Sequence, residues 1–440
     1  MRVVYPNPHP QQRVTALLAA LESRELQRLG LAVLLAAGAG WLVVLALLLR
    51  HVIFVSNDSL NNYAHVWYVS RRLWHHGRIP MHMPLLEHGE AYAFPYSFVP
   101  WLSAALLRPL LGDWVVTLWL ALGAVGTLAA SFWALPELRR VWPAAAVLLN
   151  SALLASLLLG QLPFLWASAL LLAAVGAWRR DHFWWAIILG GLAQATHAPI
   201  VLPLAGLLVL AWLRWEPRPD RLLVAYGTSL LLAAPAVWFA LASPVTLESS
   251  FGTIAANFFG TLAERAPVVA LPLLLAALQH RRPRLAPAAC AAVLALGIAT
   301  LPLLHTAQAA RALERRPNTS LLAFIASPAF QPGQTYRFLR VGDDKVGMYE
   351  LIQHGARLDS SFFPESVHHG SFVNADEYAA FLRQRGVDEV LIYQSDTAAY
   401  HSNEQQLLGR LTKSQYGGVW AEHQLHTADY DLYVIHHARG

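Results

Sequence analysis

A polar stretch near the front of this 440-residue chain gathers side chains whose types can do chemistry. It opens with Asn57, Asp58 and Ser59 and reaches His65 seven residues after the aspartate. It continues through Arg71, Arg72 and Arg78 to Glu87, Glu90 and Tyr96. A carboxylate at a water boundary can take a proton from a hydroxyl. Guanidinium or imidazole groups beside it can hold the phosphate of a lipid-linked donor and offset the charge that builds on a departing group. Tyr63, Trp67, Trp74, Tyr92 and Tyr96 offer faces for ring stacking, or anchors at headgroup level. Each group also has a plainer reading. If a helix begins at Ser59, Asp58 is its cap, and His65 falls on a similar face two turns on. Arginines at a membrane boundary are ordinary lipid anchors.

The elements that must position these residues are membrane helices. Hydrophobic residues make up 56% of the chain and charged residues 13%, against about 45–50% and about 25% in ordinary soluble domains. The apolar residues cluster in Leu/Ala/Val runs bounded by arginine or proline. A helix needs roughly 20 such residues to cross the hydrocarbon core. The first run, 28–49, is too long for a signal-peptide core and reads as a retained helix. Further runs fall near 97–111, 114–135, 142–158, 163–177, 183–196, 199–213, 222–242, 267–279 and 285–306. The 97–111 run is short and carries Pro100, Arg108 and Pro109, so it is expected to be interfacial or re-entrant. The fold class is a mainly α-helical polytopic membrane protein of about 9–10 membrane segments.

Arginine fixes the expected orientation. Arg139/Arg140, Arg179/Arg180, Arg214 with Arg218 and Arg221, and Arg281/Arg282/Arg284 fall in alternate loops. The intervening turns, Gly160-Gln161-Leu162-Pro163, Thr196-His197-Ala198-Pro199 and 243–266, carry little positive charge. The positive-inside rule then places the arginine loops in the cytoplasm of a plasma-membrane protein, with the 51–96 loop and the C-terminal end outside. The formal charge of +5 is no nucleic-acid signal. Residues 308–440 hold 12 Lys/Arg against 15 Asp/Glu, and the excess lies in the membrane part. A lone Cys290 inside an apolar run reads as an inert buried thiol.

From about residue 330 the texture changes to a small α/β domain. Strands are predicted over 336–341, 387–393 and 430–435, and helices over 376–385, stopped by Gly386, and over 403–411. The organisation is thus a polar N-terminal segment 1–26, a membrane domain 27–307 that includes the 51–96 loop, a linker 308–329, and an extracytoplasmic domain 330–440.

Asn57-Asp58, His65, Gly77-Arg78-Ile79-Pro80, Gly89, Phe94-Pro95-Tyr96 and Gly112-Asp113-Trp114 stand in an order that resembles the front end of the GT-C superfamily. These are membrane glycosyltransferases that use polyprenyl-phosphate sugars. The resemblance extends to the Gly160-Gln161-Leu162-Pro163 and Thr196-His197-Ala198-Pro199 turns. It also takes in 342–349 and 358–366, which look like the terminal domain of uncharacterised bacterial members. Many members carry Pro-Pro or Tyr-Pro-Pro where this chain reads Phe94-Pro95-Tyr96, a departure that leaves the donor subclass open.

The resemblance implies that Asp58, just after the first helix, is the general base. It further implies that a sugar moves from a polyprenyl phosphate to an extracytoplasmic glycan, lipid or protein hydroxyl, with inversion. Substrate contacts are then expected from His65, Arg71, Arg72, Arg78, Tyr96, Gln161 and His197. His197 reads equally as a structural turn histidine, and Gln161 as a cap for the helix that follows. Glu248, Glu264 and Arg265 flank the late loop and are placed to meet an acceptor. His75/His76, His368/His369 and Asp343/Asp344 read as surface groups. No cofactor is expected. A divalent metal is not favoured, because Asp58, His65, Glu87 and Glu90 lack ligand spacing. The competing classes are a transporter or flippase, for which internal repeats and mid-helix charge are wanting, and a non-catalytic assembly protein.

Overall fold

The computed structural model describes residues 24–56, 58–80, 82–86, 90–91, 97–241, 260, 262–281, 290–293, 295, 319–339, 345–359, 372–393, 403–427 and 429–438. Asn57, Glu87, Tyr92, Tyr96, Glu248, Asp343, Asp344, His368, His369, residues 1–23 and most of the 285–306 run lie outside the described residues.

The first apolar run forms α1, Arg24–Leu49. It leaves Leu31, Leu35, Leu42 and Val43 bare, as a helix facing lipid does. The 51–96 stretch is not a loop throughout, for it contains α2, Ser59–His76. This helix starts at the expected serine and ends in Gly77 at φ 61°. The Gly77 and Arg78 N–H groups donate back to the Leu73 and Arg72 carbonyls, a Schellman-type stop that glycine enters without steric cost. Leu60, Tyr63, Ala64, Val66 and Trp67 are buried together with the polar Asn62 and His65. So α2 is enclosed by protein through its first turns. Strands β1 (His82–Met83) and β2 (Glu90–Ala91) follow as a short antiparallel pair.

Next come α3, Phe98–Leu111, and α4, Trp114–Ala134. Ser97, just ahead of α3, donates its N–H to the Thr196 carbonyl at 2.9 Å. The far end of α3 joins α4 beside the end of α1, where Trp114 Nε1 donates to the Leu49 carbonyl at 2.9 Å. Both ends of α3 therefore lie on one side of the helix layer. At 14 residues it is only about 21 Å long, short of a crossing. With both ends on one side, the helix fits the interfacial or re-entrant expectation for 97–111.

Beyond a 3₁₀ turn at Pro136–Arg139 lie α5 (Val141–Leu148) and α6 (Ser151–Leu158). They form one span broken at Asn150, whose side chain accepts the Ala152 N–H and caps α6. Then follow α7 (Leu162–Arg179), α8 (Phe183–Thr196), α9 (Ala198–Leu213), α10 (Pro219–Leu241) and α11 (Pro267–Arg281). Among the described residues four helices are long and apolar enough to cross a membrane: Gln27–Leu49, Trp114–Ala134, Val141–Leu158 and Leu162–Arg179. Shorter apolar helices accompany them. The chain is a membrane protein.

Polar side chains bond between helices in this layer, where a polar group without a partner is costly. Thr127 donates to the Leu165 carbonyl at 3.0 Å, and Gln194 donates to Ser229 Oγ at 2.8 Å. The arginine-bearing ends collect on one side, through Arg179–Glu137 at 2.6 Å and Arg221–Asp181 at 3.1 Å. Asp58, Gly160, Thr196 and Arg265 lie at the opposite side. Cys290 is buried in an apolar cluster with Ala145, Val147 and Leu275.

The C-terminal domain is a mixed five-stranded sheet in the order β4-β3-β5-β7-β6. Its elements are α12 (Thr319–Ile325), β3 (Thr335–Leu339), α13 (Lys345–Gln353), β4 (Arg357–Leu358), α14 (Ala375–Gln384), β5 (Glu389–Tyr393), α15 (Glu404–Leu411), β6 (Val419–His426) and β7 (Tyr430–His437). Strands β4 and β5 run parallel to β3, whereas β7 is antiparallel to β5 and β6. Every predicted strand and helix of this domain is present within a few residues. The stretch read as a linker, 308–329, contains α12, because Leu321, Phe324 and Ile325 are apolar enough to enter the core.

One apolar face of the sheet meets α14 and α15 around Tyr378, Leu382, Leu408 and Ile392. The other face shares a single core with the membrane domain, in which Tyr336, Phe324 and Leu432 join Tyr63, Trp101 and Leu120. The Leu358 N–H donates to the Leu85 carbonyl at 2.8 Å, and Tyr63 and Tyr349 lie ring to ring at 6.2 Å. The α/β domain is therefore on the same side as the 51–96 stretch.

Candidate active site

Asp58 is placed by the backbone at the start of α2. Its N–H donates to the Leu159 carbonyl at 2.9 Å, one residue before the Gly160 turn. Gly160 sits at φ 75°, and a Cβ there would lie 2.7 Å from Ser59 Cβ and 2.8 Å from Ser59 N. Only glycine allows the two segments to close this far. Asn62, one turn into α2, locks the junction. Its Nδ2 donates to the Asp58 carbonyl at 3.0 Å and to the Gly160 carbonyl at 2.9 Å, while its Oδ1 accepts from Trp101 Nε1 at 2.9 Å.

The Asp58 side chain makes no capping bond to α2. Its carboxylate instead faces Arg265, with Oδ2 3.6 Å from Nη2 and the two side chains about one fifth exposed. Arg265 Nη1 lies 3.3 Å from His197 Nε2. His197 occupies the turn between α8 and α9, where burial, with the Arg265 charge adding, pushes its pKa down to about 3. The imidazole is therefore neutral, and with its proton on Nδ1 it accepts the guanidinium N–H at Nε2. Phe164 closes the back of the cluster, edge to face with His197 at 5.6 Å and under the Arg265 guanidinium at 5.8 Å. Arg265 Nε has no hydrogen-bond partner among the described residues. Nε is buried, in a side chain whose Nη2 faces the Asp58 carboxylate.

The other expected site residues divide into two sets. Gln161 is buried beside this cluster at the N-terminal end of α7. Its side chain makes no capping bond, and its Oε1 has no partner among the described residues. His65 is buried on α2, where its ring stacks on Trp101 at 4.3 Å and its Nδ1 lies 2.6 Å from the Asn61 carbonyl. Burial lowers its pKa to about 4, so it is neutral at ordinary pH. Through Trp101 and Asn62 it buttresses the Asp58 junction.

Arg71, Arg72 and Arg78 are not brought to Asp58. Thirteen residues of helix put Arg71 about 20 Å further along α2. Arg71 lies over Trp67 at 5.6 Å and Arg72 over Tyr68 at 5.4 Å, with Arg78 exposed beyond the helix stop. Arg71 lines a separate cavity of about 450 Å³ with Trp67, Trp74, Arg108 and Gln353, between α2, α3 and α13. Tyr96 lies outside the described residues. Sequence reasoning gave Asn62 no role, although its i+4 spacing from Asp58 put it on the same helix face. It treated Arg265 only as an acceptor contact, because no local spacing links residues 58 and 265.

No protein-family model matches the chain, and no curated protein sequence does. Among solved structures, the crystal structure of the Archaeoglobus fulgidus oligosaccharyltransferase in complex with Zn and sulfate is similar over 90% of this chain and 73% of that chain. The identity is 13% and the TM-score 0.44. A likeness of that size carries no argument about family or activity.

Proposed function

We propose that this protein is a membrane glycosyltransferase that moves a sugar from a polyprenyl-phosphate donor to an extracytoplasmic hydroxyl. The observation that supports the reading most is the Asp58–Arg265–His197 array. It sets a carboxylate beside a cation with an unspent N–H, at the helix ends away from the arginine-rich side. In this reading the donor lipid enters between helices and its phosphate takes the Arg265 guanidinium. The Arg265–Asp58 contact is long, 3.6 Å, with each side chain about one fifth exposed, a geometry in which a phosphate can compete with the carboxylate for the guanidinium. Asp58 then accepts the proton of the acceptor hydroxyl as its oxygen attacks the anomeric carbon. The sugar–phosphate bond breaks, its electron pair stays on the phosphate, and Arg265 stabilises that charge. One displacement inverts the anomeric centre. Neutral His197 holds Arg265 in place without competing for the anion.

By the positive-inside rule the site and the α/β domain face outward. Among the described residues the Asp58–Arg265 pair also fits a non-catalytic assembly protein held together by an ion pair. Purified wild type and Asp58→Asn, given a panel of radiolabelled polyprenyl-phosphate sugars and an acceptor mixture, separate the two. Donor-dependent transfer that vanishes in the variant while donor binding persists supports the base. Unchanged transfer in the variant sinks the assignment of Asp58. No binding or turnover of any donor by wild type leaves the assembly reading or the transporter.

A further inference from the structure

The outer edge of the α/β sheet carries a second group of reactive side chains, remote from Asp58 in sequence and on a different element. Strand alternation would send His423 and His426 to opposite faces. The register of β6 on β7 prevents this. His423 stands opposite Tyr433, Leu425 opposite Leu432 and His426 opposite Asp431, so Gln424 is an extra residue, a bulge. Both imidazoles thereby face the same way as Asp431. His423 Nε2 lies 3.0 Å, and His426 Nδ1 2.7 Å, from the same Asp431 Oδ1. One ligand atom from each residue falls within 4.8 Å of the others.

We propose that His423, His426 and Asp431 form a binding site for a borderline divalent cation of the zinc class. Two imidazoles and a carboxylate suit that chemistry, with M–N of about 2.0–2.1 Å and M–O of about 2.0–2.2 Å. Tetrahedral ligand atoms at those radii lie about 3.3 Å apart, so the two nitrogen–oxygen separations of 3.0 and 2.7 Å open by about 0.3 and 0.6 Å, and the two nitrogens start within 4.8 Å of each other. The carboxylate is buried, its side chain 7% exposed, whereas the His423 and His426 side chains are 41% and 67% exposed. The ion therefore has an entry path and keeps a fourth position open to water. Tyr433 stacks on the His423 ring at 4.7 Å and fixes its plane, as an outer shell does for a ligating histidine. His436 pairs with Glu422 at 3.3 Å on the opposite face and takes no part.

The test uses the untagged full-length chain in detergent, stripped with chelator and titrated with Co²⁺. Wild type is expected to develop the d–d absorption of a four- or five-coordinate ion at one equivalent and to lose it to Zn²⁺. His436→Gln, an internal control from the other face, should match wild type. His426→Gln, a change at an exposed side chain, should weaken Co²⁺ at least about tenfold, and His423→Gln with His426→Gln should abolish the band. Absence of the band in wild type, or its persistence in the double variant, overturns the site.

Discussion

Arg337 and Arg265 both face aspartate, and the two arrangements could hardly differ more. Arg337, on β3, is held by Glu404 through two bonds of 2.6 and 2.7 Å and by Asp359 at 2.6 Å, with all three side chains nearly free of water. Phe381 covers the guanidinium at 4.7 Å. Arg265 Nη2 stands 3.6 Å from Asp58 Oδ2, with both groups partly wet. The first cluster is closed and spends its donors on fixed partners that tie β3, α15 and the end of β4 together. In the second, Arg265 Nε has no hydrogen-bond partner among the described residues. The contrast teaches that an arginine–carboxylate pair does structural or chemical work according to how many of its hydrogen-bonding positions the fold has already filled.

Substitutions at the two sites can break that contrast. The largest effect is expected from Asp58→Asn, which should lower sugar transfer by about 10²–10⁴-fold while leaving the thermal midpoint unchanged. A single-turnover assay beside a melting curve reads both. Arg337→Met should do the reverse. It strands two buried carboxylates and destabilises the α/β domain by about 3–5 kcal/mol, measured by denaturant titration or limited proteolysis. Arg265→Lys keeps the charge but loses the planar fork, and transfer should fall by roughly 10–100-fold with weaker donor binding. If Arg265→Lys melts the protein instead, the pair is structural and the contrast collapses.

Glu389 sharpens the comparison as a buried carboxylate beside the Tyr336 hydroxyl. Burial outweighs that hydrogen bond and raises its pKa from 4.5 to about 7. The folded pKa lies above the unfolded one, so the native state holds the extra proton. The stabilisation is complete below about pH 4.5 and is lost as pH rises through about 7. Glu389→Gln should flatten that part of the stability–pH curve, by about 1–3 kcal/mol. The smallest effect is expected from Arg71→Ala, at the far end of α2. Transfer should change by no more than roughly threefold, since only an exposed cation–π contact is lost.

Much of the architecture was legible because membrane helices and regular strands announce themselves in one dimension. The apolar runs, the stop at Gly386 and the start of α2 at Ser59 all follow from local pattern. The edge strand β6 escaped, because 419–426 alternates poorly around its bulge. Helix α12 escaped because seven residues carry too little period. Asp58 was visible as a candidate from its place after the first helix. Its partner was not, for Arg265 meets it only when the segment ahead of α11 folds against the start of α2 and the His197 turn. The arginines nearest in sequence lie away from Asp58 for a geometric reason, since thirteen residues of helix separate Arg71 from it by about 20 Å.

The core shared by the two domains has a consequence for how the protein is made. A chain emerging from its N-terminus delivers α2 to the membrane surface long before residues 319–358 exist. Tyr63, Leu60 and Val66 belong to a core that Phe324, Tyr336 and Tyr349 complete. During that interval α2 presents an uncovered apolar side, the kind of surface that holds chaperones and invites degradation. Synthesis of residues 319–358 is then the event that lets this shared core close over α2, so a ribosome that stalls before them leaves the helix inserted but uncovered.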